Sequence, residues 1–192
     1  MDEKDFLEQL KTGKESAFKE LVELYKDRVF NTVMSITQNH AEAEDLSQEV
    51  FIEVYKSVHK FRGDSKVSTW IYRIATNKSL EFVRQSKAQK RFAYVKSLFG
   101  QNDELIHQPS DFEHPGVVLE NKERAKKLFE AIGKLPDNQR VAYSLHNLEG
   151  LSYQDIGEVM DLSKSSVESL LFRAKQNLKK YLEKFYKENY GE

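Results

Sequence analysis

The sequence predicts an all-α protein: two small helical domains joined by a flexible linker. Three observations carry that prediction. Only three prolines and eight glycines occur in 192 residues, and 32% of the residues are charged, a composition that favours helix. Apolar residues recur at three- and four-residue spacing on both sides of the middle of the chain. Between those stretches, residues 97–121 lose the helical period while holding two of the three prolines and two of the eight glycines. The predicted domains are therefore 1–96 and 122–192, with 97–121 as the linker.

In the first domain, Phe18, Leu21, Val22, Tyr25, Val29, Val33 and Ile36 line one face of a helix from Ser16 to about Gln38. After a break at Asn39 and His40, a second helix runs from about Ala41 to Val58, with Ala43, Leu46, Val50, Val54 and Val58 inward. Arg62-Gly63-Asp64-Ser65 is a turn. Ser68 or Thr69 is placed to cap a third helix that carries most of the basic residues, and a small bundle ends near Arg91. Phe99, Leu105, Ile106 and Phe112 make the linker too apolar for a pure spacer, so part of it is expected to dock.

The second domain opens with Ala125, Leu128, Phe129, Ile132 and Leu135 on one helical face. Pro136 sits where a first helical turn tolerates proline. Val141, Leu145 and Leu148 continue that helix, and Gly150 stops it. Ser152 with Asp155 three residues on forms a capping box in which Asp replaces Glu. A short helix follows, packed through Ile156, Val159 and Met160, then a tight turn at Asp161-Leu162-Ser163. The last helix packs through Val167, Leu170, Leu171, Ala174, Leu178 and Leu182.

Charge is concentrated by segment. The whole chain is −1, yet Phe61–Lys96 holds nine Lys/Arg against two acids, a local +7. At about 100° per residue, Lys66, Arg73, Asn77, Arg84, Lys87 and Arg91 fall along one stripe, interrupted by Leu80. A basic stripe introduced by Phe61, Trp70 and Tyr72 suits a nucleic-acid backbone with unpaired bases stacked beside it. The alternative is a solvated face with its aromatics in the core.

The final two helices form a helix-turn-helix candidate, in which the second helix enters the major groove N-terminus first. Ser165, Ser169, Phe172 and Gln176, flanked by Glu168 and Arg173, form its outward face. Short polar residues read base edges, phenylalanine touches thymine methyls, and Glu accepts from cytosine N4. Lys164, Arg173, Lys175 and Lys179 would hold phosphates. An ordinary helical hairpin is the competing reading. On the 41–58 helix, Asp45, Glu49 and Glu53 make two repulsive i,i+4 pairs, and with Gln48, Ile52 and Lys56 they form an outward strip that a basic partner would explain.

Several classes are excluded or disfavoured. With no cysteine there are no disulfides, thiolate metal sites or Cys nucleophiles. No apolar run approaches the roughly 20 residues of a bilayer span, so membrane insertion is not expected. The acidic N-terminus is unlike a secretory signal, and a cytoplasmic location is expected. His40 with Glu44, or His107 with Asp111 and His114, lack further ligands or a catalytic base. No enzyme activity, cofactor or metal site is predicted.

Two blocks, AEDLSQEVFIEVYKSVHKFRGDSKVSTWIYRIATNKSLEFVRQ and LPDNQRVAYSLHNLEGLSYQDIGEVMDLSKSSVESLLFRAKQNL, resemble region 2 and region 4 of bacterial sigma factors. Only those regions and a short linker are present, the layout of the extracytoplasmic-function (ECF) subgroup. The resemblance implies a region 2 helical bundle, a region 4 helix-turn-helix, and a subunit that directs core RNA polymerase to promoters.

Asp45, Leu46, Gln48, Glu49, Phe51 and Ile52 match the motif that meets the clamp helices of the polymerase β′ subunit; region 4 would meet the β flap. Phe61, Arg62, Asp64, Ser65, Lys66, Ser68 and Thr69 match the loop that holds a flipped −10 base. Trp70, Arg73 and Asn77 match the start of the helix gripping the melted strand, with Lys78, Arg84 and Lys87 along its backbone. Lys164, Ser165, Ser166, Glu168, Ser169, Phe172, Arg173 and Gln176 match the reader of the −35 duplex.

Asp103, Glu104, Asp111 and Glu113 in the linker would mimic nucleic acid in the polymerase channel, and an anti-sigma factor is implied as a further partner. Where many relatives read approximately T-V-K-S-R in the recognition helix, this chain has Ser166-Val167-Glu168-Ser169-Leu170, so its −35 sequence is not theirs to copy. The rival reading is a conventional helix-turn-helix regulator acting on duplex DNA without polymerase.

Overall fold

The computed structural model describes residues 3–98 and 119–190, and every regular element in them is helical. The helices are α1 (Glu3–Lys11), α2 (Glu15–Thr37), α3 (His40–Ser57), α4 (Val67–Leu98), α5 (Leu119–Gly133), α6 (Asp137–Asn147), α7 (Tyr153–Met160) and α8 (Lys164–Tyr190), with one 3-10 turn at Val58–Lys60. The predicted linker falls mostly outside the described residues.

Local chemistry sets most helix ends. Gln38 takes the left-handed conformation (φ 59°) and donates its N–H to the Met34 carbonyl, closing α2. Asn39 then caps α3 by accepting from the Glu42 N–H. Helix α4 begins at Val67, with the Trp70 N–H on the Lys66 carbonyl, so Ser68 and Thr69 lie inside its first turn rather than capping it. The amphipathic N-terminus, whose period the sequence reading did not assign, is α1, and its Leu10 is buried.

Helices α1 to α4 form the first lobe. Leu21, Val29 and Val33 of α2, Val50 and Val54 of α3, and Ile71 and Ala75 of α4 pack as one core. At about 25 cal/mol per Å2 of apolar surface, burying side chains of this size contributes roughly 1.5–3 kcal/mol each. In the second lobe α5 packs on α8 through Ala131, Ile132, Leu135, Ala174 and Leu178.

The lobes do not stand apart. A third cluster joins Ile36, Tyr72 and Val83 of the first lobe to Val141, Leu145, Ile156, Val159 and Leu171 of the second. Phe129 of α5 reaches into the first core. Arg140 of α6, buried, donates from Nη1 to the Ile36 carbonyl at 2.7 Å and from Nη2 to Asp137 at 2.9 Å. Its burial lowers the guanidinium pKa, which the Asp137 charge only partly offsets.

Candidate nucleic-acid interface

Helix α4 presents Arg73, Asn77, Arg84, Lys87 and Arg91 outward, with Lys66 exposed just ahead of it. Leu80, the interruption in that stripe, is half-buried and packs on the core shared by the lobes. Lys78 leaves the stripe's direction and pairs with Glu49 of α3 at 3.0 Å.

The three aromatics divide. Tyr72 is fully buried and is no stacking platform for a base, because its position on α4 turns it into the shared core. Phe61 is buried too and stacks on Trp70, ring centroids 4.7 Å apart and planes 20° off parallel. Trp70 keeps a half-exposed edge. Around it Ser57, Lys60, Phe61, Arg62, Asp64, Ser65 and Arg73 line a small cleft of about 260 Å3. Arg62 pairs with Asp64 at 3.1 Å on its rim. Ser68 is half-buried and Thr69 buried, so of the predicted loop residues these two support the cleft rather than face it.

The second lobe sits on this stripe. Lys66 Nζ lies 3.0 Å from Asp155 Oδ1 and Lys87 Nζ 2.8 Å from both oxygens of Asp137. Arg73 donates through Nη2 to the Glu158 carbonyl. Hydrogen bonds from the Ser152 hydroxyl, then from Lys66, hold the Asp155 carboxyl below the usual Asp range. Nearby, Glu149 has a side chain only 4% exposed; it accepts from Arg28 Nε at 3.1 Å and from the Tyr72 hydroxyl at 2.7 Å.

Helices α7 and α8 make the helix-turn-helix. The Ser152 Oγ accepts from the Asp155 N–H at 3.1 Å, as the capping box requires. Asp161 adopts φ 55°, and the Leu162 N–H bonds the Gly157 carbonyl. Ser163 caps α8, accepting from the Ser166 N–H at 3.2 Å. Lys164, Ser165, Glu168, Ser169, Phe172, Arg173 and Gln176 are exposed on α8, and Ser166 is half-buried. Phe172 is 65% exposed, a large apolar side chain on an otherwise polar face. Arg173 Nε folds back onto the Ser169 carbonyl at 3.2 Å.

On α3, Asp45, Gln48, Glu49 and Ile52 face outward, Ile52 at 52% exposure. Leu46 is buried and Phe51 half-buried against the first core, so these two shape the strip from beneath. His40 and Glu44 approach to 3.8 Å on an exposed turn, with His40 edge-on to Phe30. The described residues hold no group of three or more His, Cys, Asp or Glu placed to bind a metal. None of the described helices is long and apolar enough to cross a membrane. Phe99, Asp103, Glu104, Leu105, Ile106, His107, Asp111, Phe112, Glu113 and His114 lie outside the described residues.

Two residues that join the lobes escaped the sequence reading. Arg140 reads as one more polar position on α6, and Glu149 as a turn residue before Gly150. The only available signal was an acid, Glu149, next to the apolar pair Leu148 and Leu151, which is weak.

Comparison with known proteins agrees with this geometry. Sigma-70 region 2 matches residues 21–89 and sigma-70 region 4 matches residues 125–178. The chain is 31% identical to the RNA polymerase sigma-H factor of Pseudomonas aeruginosa, over 97% of this chain and 96% of that one. It is also 31% identical to the ECF RNA polymerase sigma factor SigW of Bacillus subtilis, over 92% and 94%. Among solved structures, CnrH in complex with the cytosolic domain of CnrY is similar with a TM-score of 0.70 and 19% identity, covering 94% of this chain and 97% of that one. The sigma factor RpoE in complex with the anti-sigma factor NepR from Bartonella quintana gives 0.63 at 22% identity, covering 86% and 96%. With its two matched regions in order and relatives aligned over nearly their whole length, the chain belongs to the ECF RNA polymerase sigma factors of the sigma-70 family.

Proposed function

We propose that this chain binds core RNA polymerase and directs it to promoters, with no enzymatic activity or cofactor of its own and with the cytoplasm as its workplace. The exposed strip of Asp45, Gln48, Glu49 and Ile52 is the polymerase-facing surface, set against the β′ clamp helices, with the second lobe meeting the β flap. One compact exposed patch of acids beside an isoleucine is what a basic, partly apolar partner surface would complement. Among the described residues Asp45 and Glu53 have no ion-pair partner, while Glu49 has Lys78.

The cleft beside Trp70 would take a flipped −10 base, held by Arg62, Asp64 and Ser65 of its lining, with Lys66 next in the chain. Arg73, Asn77, Arg84 and Lys87 would follow the melted strand. The exposed face of α8 would read the −35 duplex, with Lys164 and Arg173 on phosphates. An anti-sigma factor covering these faces is a further partner that membership of this family supports. The domain division at 1–96, 97–121 and 122–192 belongs to the same reading.

The observation that carries it is the coexistence, on one rigid first lobe, of an outward acidic strip on α3 and a cation-lined aromatic cleft at the start of α4. The test is co-elution on size exclusion with sigma-free bacterial core polymerase. A stable complex lost in a folded Glu49→Lys variant is expected. No association, together with tight duplex binding by the free chain, would point instead to a conventional helix-turn-helix regulator.

A further inference from the structure

We propose that Glu168 is the residue by which α8 selects a cytosine in the −35 duplex and rejects guanine and thymine at the same position. The inference deepens the reading of α8 proposed above and rests on it. Glu168 is exposed in the second turn of a helix that begins at Lys164. At about 100° per residue it falls about 60° from Ser165 and about 40° from Phe172. That places it within the outward stripe of Ser165, Ser169, Phe172 and Gln176, all exposed.

Its charge is uncompensated. Farther along α8, Glu183 pairs with Lys179 at 3.6 Å. The Glu168 carboxylate has no hydrogen bond or ion pair among the described residues. Lys164, four residues earlier, is exposed and leaves it alone; lysine ahead of glutamate is the weaker order of an i,i+4 pair. Attraction to the positive end of a helix fades beyond the first turn, so helix stability gives little reason for an acid here.

On a face that approaches DNA phosphates, such an acid weakens binding to every sequence unless a base answers it. An ionised carboxylate only accepts, so the answering group must be a donor. In the major groove cytosine presents its N4 amino group. Adenine presents an N6 amino group beside its N7 acceptor, guanine presents N7 and O6, and thymine presents O4. Cytosine alone carries a donor with no acceptor on its own edge. Selection therefore works in both directions, by one attracting amino group and by acceptor edges that repel.

The neighbours of Glu168 leave this role to it. Ser165 and Ser169 carry hydroxyls that turn to donate or accept, and Lys164 only donates. Leu170 is half-buried and packs inward on the core shared by the lobes. In the first two turns of α8 the Glu168 carboxylate is thus the one exposed side chain that accepts without donating.

The test loads the full chain on core polymerase and selects duplexes from a library randomised over the promoter. Enriched −35 motifs are sequenced, and affinities for single-base changes are then measured. The unaltered chain should enrich cytosine at one −35 position, with about tenfold weaker binding when guanine replaces it, a typical single-mismatch loss. Glu168→Gln should move that position toward adenine, which a side-chain amide reads through N6 and N7. Glu168→Ala, a change to the best helix former at an exposed site, should flatten that position and leave the others as they were.

Three results overturn the proposal. One is a −35 motif identical in Glu168→Ala. Another is a Glu168-dependent position that prefers any base but cytosine. The third is a gain in affinity in Glu168→Ala that is equal for all sequences, which would make the acid a general repeller of DNA and not a reader. Failure to load on core polymerase, or loading without any enriched −35 motif, would sink the reading of α8 itself and this inference with it.

Discussion

The Tyr72 hydroxyl donates to the Glu149 carboxylate across 2.7 Å, tying a fully buried position of α4 to the loop that follows α6. The same carboxylate accepts from Arg28 Nε, whose guanidinium also lies 5.6 Å from the centroid of the Tyr72 ring. Two helices of the first lobe and a loop of the second thus meet at one acid. Tyr72→Phe keeps the ring, its packing and the cation–π contact, and removes only the hydrogen bond to a charged acceptor. Such bonds are worth about 1.5–3 kcal/mol. Urea unfolding should show a loss of that size with the native fold retained; an unchanged midpoint would mean the bond contributes nothing.

The same pair predicts an alkaline weakness. Burial, and then the hydrogen bond to Glu149 and its charge, push the Tyr72 hydroxyl above its ordinary value near 10. The folded chain therefore holds that proton more tightly than the unfolded one. The contribution is complete below about pH 10 and is lost as the pH climbs beyond it. Lysine titrations are common to both proteins, so the stability gap between the unaltered chain and Tyr72→Phe should shrink from pH 9 to 11. A gap constant over that range would show that Tyr72 does not titrate differently on folding.

Much of this arrangement was legible from residue spacing, and the rest was hidden for definite reasons. The inward faces of α2, α3 and α8 follow helical periodicity, because a helix in a small bundle has one choice of which side to bury. Ser152, Asp155 and Gly150 announce their turns through side-chain capping and left-handed backbone, both local properties. Tyr72 was left between two readings because an aromatic beside cations satisfies a stacking pattern and a core pattern equally well. Only the docking of α6 and α7 decides between them. Arg140 and Glu149 went unseen because each is polar in its own helix or turn and becomes buried only across the lobe boundary. Contacts over such separations leave no periodic trace. Leu46 shows the same limit in reverse: it belongs to the polymerase-contacting motif by resemblance, while its place on α3 puts it in the core.

Gly157 marks a backbone approach that fixes the helix-turn-helix angle. A Cβ at this position would lie 2.7 Å from the Leu162 carbonyl oxygen, in the turn into α8 whose Leu162 N–H donates back to the Gly157 carbonyl of α7. That oxygen is main chain, so relief requires the turn itself to move. Gly157→Ala is expected to destabilise by about 1–3 kcal/mol, the range for overpacking. It should also tilt the recognition helix. Thermal melting measures the first effect, and binding to duplex DNA the second. A variant as stable as the unaltered chain, with duplex binding intact, would show that the turn yields without cost.

Trp70 stands at the meeting of support and contact. One face stacks on Phe61 within van der Waals reach, and the residue packs on the first core, yet it remains half-exposed at the cleft beside Arg62, Ser65 and Arg73. Trp70→Ala removes an aromatic pair worth about 0.5–1.5 kcal/mol beyond its buried area, so a lower melting temperature is expected. The strip on α3 is untouched by this change, and polymerase loading should survive it. What should fail is the step in which a base leaves the duplex and needs a surface to rest on. Promoter opening, followed by permanganate reactivity of unpaired thymines, should fall well below initial polymerase–promoter binding. Trp70→Phe, which restores a ring and most of the packing, should recover stability more fully than opening. Equal loss of binding and opening in Trp70→Ala would assign the residue to the fold alone.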